Sequence, residues 1–92
     1  MSNYCVYIIK SLPYPDQIYI GYTQDIKTRI ISHNSGSTPH TSKYKPWELI
    51  VSLIFTNGDC AIEFERYLKS GSGRAFALKR FLKNPVSKEQ HP

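Results

Sequence analysis

The chain has 92 residues, 40% of them hydrophobic, and a formal net charge of +5 at pH 7. That length is one domain, which buries about 60–70% of its unfolded surface and can fold alone around a modest core. No apolar run approaches the roughly 20 residues of a membrane helix, and Met1-Ser2-Asn3-Tyr4 lacks the basic-then-apolar layout of a secretory signal. The two cysteines, Cys5 and Cys60, stand at unrelated positions without metal-ligand spacing. The expectation is a cytoplasmic protein with two reduced thiols and no membrane contact.

Tyr4 to Lys10 is rich in β-branched and aromatic residues and too short for a helix, so it reads as a strand. Its almost unbroken apolar character suits a central strand covered on both faces. A Pro-rich turn, Ser11 to Asp16, leads to a return strand from Gln17 to Tyr22. Gly21 weakens that strand and marks a place where another backbone or a ligand comes close.

Thr23-Gln24-Asp25 offers helix-capping oxygens, and Ile26, Ile30 and His33 then follow at i, i+4 and i+7, with Asn34 to Gly36 as the stop. Arg29 and His33 ride beside this apolar stripe rather than opposite it. Ser35 to Pro46 is a loop broken by Gly36, Pro39 and Pro46. It carries Lys43 and Lys45 beside His40 and Tyr44. Trp47 to Phe55 is the third strand, and Thr56 to Asp59 is a turn.

A second helix runs from about Cys60 to Lys69 and stops at Ser70-Gly71; a third runs from Gly73 to Lys83. Asn84 to Pro92 is a polar tail, which sets the domain at 1–83 and the tail at 84–92. From Arg66 onward Lys69, Arg74, Lys79, Arg80, Lys83 and Lys88 add charge that only Glu89 opposes. Cations clustered beside aromatics suit a polyanion, nucleic acid above all, although a basic helix is also simply soluble.

The helix after the third strand carries the sharpest inference. At 100° per residue Ala61, Phe64 and Leu68 share a stripe that Ile62 widens. Glu65 falls within that stripe and Glu63 opposite it. A carboxylate facing the core is costly unless a cation or metal meets it. An ion pair with the inward Arg29 and a metal site are both open readings.

A hairpin makes the first two strands antiparallel, and a right-handed crossover returns the third parallel to the second. The third then pairs on the free side of the first. The expected fold is α+β: a small three-stranded antiparallel or mixed sheet of order 2-1-3 flanked by about three helices, with topology ββαβαα.

These residues resemble the GIY-YIG endonuclease superfamily from Tyr4 to Leu82, and above all its small single-domain members, similar to the N-terminal catalytic domain of excinuclease C. Val6-Tyr7-Ile8 stands at the first motif, with Cys5 and Val6 replacing its usual Gly-Ile. Tyr19-Ile20-Gly21 matches the second motif outright. Arg29, His33 and Glu65 match the family's helix arginine, histidine and metal-binding glutamate. Lys45 to Leu49 and Tyr67 to Arg74 also look like this subgroup. A polar residue that some larger members supply from a later helix has no match here.

The resemblance implies hydrolysis of DNA phosphodiesters with a single Mg²⁺ or Mn²⁺ on Glu65, in DNA repair or recombination. Arg29 would clamp the phosphate. Tyr7 would be general base or water-positioning group, its phenol drawn down from about 10 by Arg29 and the metal. Tyr19 would hydrogen-bond the phosphate or the water. His33 would support Tyr7 or shuttle a proton, or be an interior histidine. Gly21, Lys43, Lys45, Lys69 and Arg74 are the expected nucleic-acid contacts. So small a domain has little surface for a long sequence, so structure-directed or weakly specific cutting is expected, with a protein partner for targeting. The competing class is a non-catalytic nucleic-acid binder on the same scaffold.

Overall fold

The computed structural model describes residues 3–82. Strands β1 (Tyr4–Ser11) and β2 (Ile18–Thr23) form a hairpin. Helix α1 (Ile26–Ser35) and a single turn, α2 (Pro39–Ser42), lead to β3 (Trp47–Phe55), and α3 (Gly58–Leu68) and α4 (Gly71–Arg80) close the fold. The sheet order is β2-β1-β3, with β1 antiparallel to both neighbours, so β2 and β3 run the same way. This is the expected α+β sheet. The expected boundary at Lys83 and the tail 84–92 lie outside the described residues.

Strand β1 is buried without a break from Cys5 to Ile9 because helices cover both of its faces. On one face Val6, Ile8 and Ile20 meet Ala61 and Leu68 of α3 and Ala77 of α4. On the other, Cys5, Tyr7, Ile9 and Trp47 meet Tyr19, Tyr44 and the half-buried Ile26 and Ile30 of α1. Burying Leu68 completely is worth about 1.5–3 kcal/mol.

A β-bulge decides which face Trp47 joins. Ile8 pairs with Val51 but Ile9 pairs with Leu49, which leaves Ile50 as an extra residue on β3. Side chains alternate along a strand, so one extra residue exchanges the faces beyond it. Val51, Leu53 and Phe55 therefore share the face of Ile8 and Val6, whereas Trp47 crosses to the face of Tyr7.

Three local expectations differ. The loop from Ser35 to Pro46 contains α2, because Pro39 at a first helical position has no N–H to lose and its φ is already helical. Helix α3 begins at Gly58, where Asn57 Oδ1 accepts from the Cys60 N–H at 3.0 Å. Helix α3 ends at Leu68 with Lys69 as C-cap, close to expectation. Ser70-Gly71 also opens α4, two residues before the expected Gly73: Ser70 caps its N-terminus, its Oγ accepting from the Gly73 N–H at 3.2 Å and donating to the Tyr67 carbonyl at 2.6 Å. Helix α1 follows expectation, with Asp25 as N-cap and Gly36 ending it at φ 85°.

Candidate active site

The register of β1 on β2 sets Tyr7 opposite Gly21. The Tyr7 ring lies across that glycine, where a Cβ would collide with the hydroxyl and ring carbons. The space at Gly21 is thus taken by the Tyr7 ring, a close approach of the kind a strand glycine marks.

Tyr7 is fully buried, and its hydroxyl lies 2.8 Å from His33 Nε2. His33 is the buried residue of α1, and its Nδ1 lies 2.9 Å from Thr41 Oγ1 of α2. Thr41 is pinned in turn: its carbonyl accepts from Trp47 Nε1 at 3.0 Å. Asn34 ties α1 to β3, accepting the Trp47 N–H at 2.6 Å and donating to the Trp47 carbonyl at 3.3 Å. Tyr19 completes the group, its ring centroid 5.0 Å from that of His33 and 6.3 Å from that of Tyr7.

Arg29 stands one turn before His33, and its charge acts on the Tyr7 phenol. Its Nε is buried without a hydrogen-bond partner. A buried donor left unpaired costs about 1–3 kcal/mol, which makes this nitrogen a candidate donor to a bound anion.

The protein's own groups set the protonation states of the pair. Burial, with Tyr19 beside it, pushes the Tyr7 phenol up to about 12, and the opposing pull of Arg29 is too weak to offset desolvation. Tyr7 is a protonated phenol, not a ready phenolate. Burial and then the Arg29 charge lower the His33 pKa, so His33 is a neutral imidazole at pH 7. The pair is a phenol with a proton beside a base able to take it.

Glu65 lies on α3 with its side chain 20% exposed, and its Oε2 lies 2.8 Å from Lys69 Nζ one turn on. Glu63 is exposed, as the helical phase requires. Among the described residues Arg29 and Glu65 form no ion pair, and no group of three His, Cys, Asp or Glu side chains assembles. A divalent ion still fits the donors present. Lys69 is half-exposed and engages one carboxylate oxygen, and Mg²⁺ commonly takes one or two protein carboxylates and fills its shell with water and phosphate.

The structure thus brings Tyr7, Tyr19, Arg29 and His33 together, whereas the polar contact it gives Glu65 is Lys69. That contact ties up Lys69 among the expected nucleic-acid residues. Lys43, Lys45 and Arg74 are exposed, with Lys43 Nζ 5.4 Å from the centroid of the Tyr44 ring. A cleft lined by Tyr19, His40, Thr41, Tyr44 and Trp47 opens beside the tyrosines. Sequence reasoning missed Thr41, whose signal was the Thr38-Pro39 start of a helical turn.

Fold and site define a small α+β domain carrying a phenol–imidazole pair and an arginine with an unpartnered Nε at one sheet face. Residues 3–79 match the GIY-YIG catalytic domain, and the chain belongs to the GIY-YIG nuclease family. It is 33% identical over 92 residues to a UPF0213 protein of Lactococcus lactis subsp. cremoris, covering 98% of this chain and 90% of that protein. The solution structure of a UPF0213 protein from Bacillus halodurans superposes with a TM-score of 0.53 at 27% identity, over 96% of this chain and 94% of that one. The structure-specific endonuclease subunit SLX1 of Candida dubliniensis is 39% identical over 75 residues, 74% of this chain but 26% of that protein. The chain spans about a quarter or less of the SLX1 relatives it matches.

Proposed function

We infer that the protein is a metal-dependent DNA endonuclease whose proton-transfer pair is Tyr7 and His33. The observation that carries this reading is the 2.8 Å contact between the Tyr7 hydroxyl and a neutral His33, beside the unpartnered Nε of Arg29. Arg29 receives the scissile phosphate, since a planar cation with a free buried donor matches a phosphate oxygen. The attacking water gives a proton to the Tyr7 oxygen as the Tyr7 proton passes to His33 Nε2. The high phenol pKa is then no obstacle, because no free phenolate need accumulate.

Tyr19 orients the water or the phosphate from the adjoining strand. Glu65 would hold the Mg²⁺ or Mn²⁺, which when bound polarises the phosphate and offsets charge on the leaving oxygen. The SLX1 relatives, structure-specific endonuclease subunits by name, support structure-directed cutting and a protein partner, and a setting in DNA repair or recombination accords with both. No described helix is long and apolar enough to cross a membrane, and the cytoplasm is the compartment we assign.

Cleavage of flapped, branched and plain duplex DNA, with Mg²⁺, Mn²⁺ or a chelator, tests this reading. Tyr7→Phe and Glu65→Gln are each expected to lose about 10²-fold or more in rate. Glu65→Gln should cost under about 0.5 kcal/mol of stability, since the Lys69 pair is half-exposed. Full-rate cutting by both variants overturns these roles. Salt-sensitive binding without cleavage by the unaltered protein would favour the non-catalytic binder.

A further inference from the structure

We propose that Thr41 is a positioning residue that fixes His33 as its Nδ1–H tautomer and so keeps Nε2 open as acceptor of the Tyr7 proton. This rests on the reading of Tyr7 and His33 as the proton-transfer pair.

The hydrogen-bond chain ends on an acceptor-only group, and a donor-only group stands near its other end. The Arg29 charge acts on Tyr7, and a guanidinium has no acceptor that could take the phenol proton. The Thr38 carbonyl can only accept, one lone pair taking the Thr41 N–H at 3.1 Å and the other the Thr41 hydroxyl at 3.4 Å. Between them lie the Tyr7–His33 and His33–Thr41 contacts of 2.8 and 2.9 Å. Each link has one proton. A single polarity satisfies every link: Tyr7 donates to Nε2, Nδ1 to Thr41, and Thr41 to Thr38. In the reverse sense the Tyr7 proton would face a guanidinium and the Thr41 hydroxyl would abandon its carbonyl.

Thr41 is built into this place. It is 1% exposed, held by α2 and by Trp47, and Trp47 is on this face because of the bulge at Ile50. The charged and titratable side chains facing His33 are Tyr7 of β1, Tyr19 of β2 and Arg29 of α1; α2 and β3 present Thr41 and Trp47. No carboxylate among the described residues orients the ring, so the task falls to a neutral hydroxyl.

The ¹⁵N–¹H correlation spectrum of the His33 ring in the unaltered protein is the direct test. Nδ1–H is expected, and Nε2–H would overturn the proposal without any variant. Thr41→Val should shift the ring toward Nε2–H and lower kcat by on the order of 10²-fold at unchanged KM for DNA, with the acidic limb of the pH–rate profile displaced. Thr41→Ser should restore the tautomer and bring kcat within about threefold of the unaltered protein. An unchanged tautomer in Thr41→Val, or a Thr41→Ser protein as slow as Thr41→Val, overturns it. If the protein cuts no DNA while Thr41→Val still moves the tautomer, the positioning claim stands and the nuclease reading fails.

Discussion

Burying His33 in its neutral form couples folding to pH. Its native pKa is depressed by burial and by Arg29, whereas in the unfolded chain it returns to about 6.5. Just below that value the unfolded state binds a proton that the native state refuses, so stability rises with pH in this window. The contribution is fully present above about pH 6.5 and is lost as pH falls through the depressed native value. The melting temperature should therefore drop between about pH 6.5 and 5 more steeply than in His33→Gln, which cannot titrate. Asp25, whose pKa is lowered by its bonds to Thr28, acts at more acidic pH. Equal slopes for the two proteins would mean that His33 takes up its proton in the fold as readily as in the unfolded chain. At this scale Arg29 and His33 were legible from helical phase, and Tyr7 from the motif it resembles. The extent of the phenol's desolvation was not. It depends on how completely Tyr7 is buried, which neighbouring elements decide.

At the scale of elements, the strands and long helices were legible because each carries its own period and punctuation. The α3–α4 elbow was not, since Ser70-Gly71 is as good an opening as an ending until Gly73 is seen in place. Gly71 and Gly73 look alike in sequence, yet a Cβ on Gly71 would meet nothing within 4 Å, whereas one on Gly73 would run into the Tyr67 carbonyl and lie 2.7 Å from Leu68 Cα. Backbone cannot give as a flexible side chain can. Gly73→Ala should therefore destabilise by about 1–3 kcal/mol, as overpacking does. Gly71→Ala should be neutral or stabilising by up to about 1 kcal/mol, because alanine is the better helix former. Denaturant midpoints of the two variants decide it, and two equal shifts would mean that α4 does not press on α3 at Gly73. The bulge at Ile50 was illegible for a related reason: nothing in Trp47–Phe55 announces an extra residue, and only pairing with β1 exposes it.

On the whole molecule, the 2-1-3 order followed from chain connectivity and the unbroken apolar run of β1, both readable in one dimension. The closure of the site was not, because Tyr7, His33 and Thr41 come from three elements and meet through hydrogen bonds that leave no periodic trace. Charge lies between these cases: its sign is in the sequence and its availability is in the fold. Lys69 is engaged by Glu65, but Lys43 and Lys45 stand exposed on either side of Tyr44, whose carbonyl accepts the Ser11 hydroxyl at 2.6 Å. Tyr44 lines the cleft beside Tyr19, so the two lysines are its chain neighbours there. Phosphate contacts release counterions, so each one adds about 0.9 to the salt slope of duplex binding. The double variant Lys43→Ala with Lys45→Ala should weaken flapped and plain duplex alike and reduce that slope by roughly 1–2. Its single-turnover rate at saturating DNA should be unchanged, because neither ammonium reaches the Tyr7–His33 pair. Titrations across salt concentrations provide the check: an unaltered slope would remove these lysines from the DNA path, and a fallen saturating rate would place them in the chemistry instead.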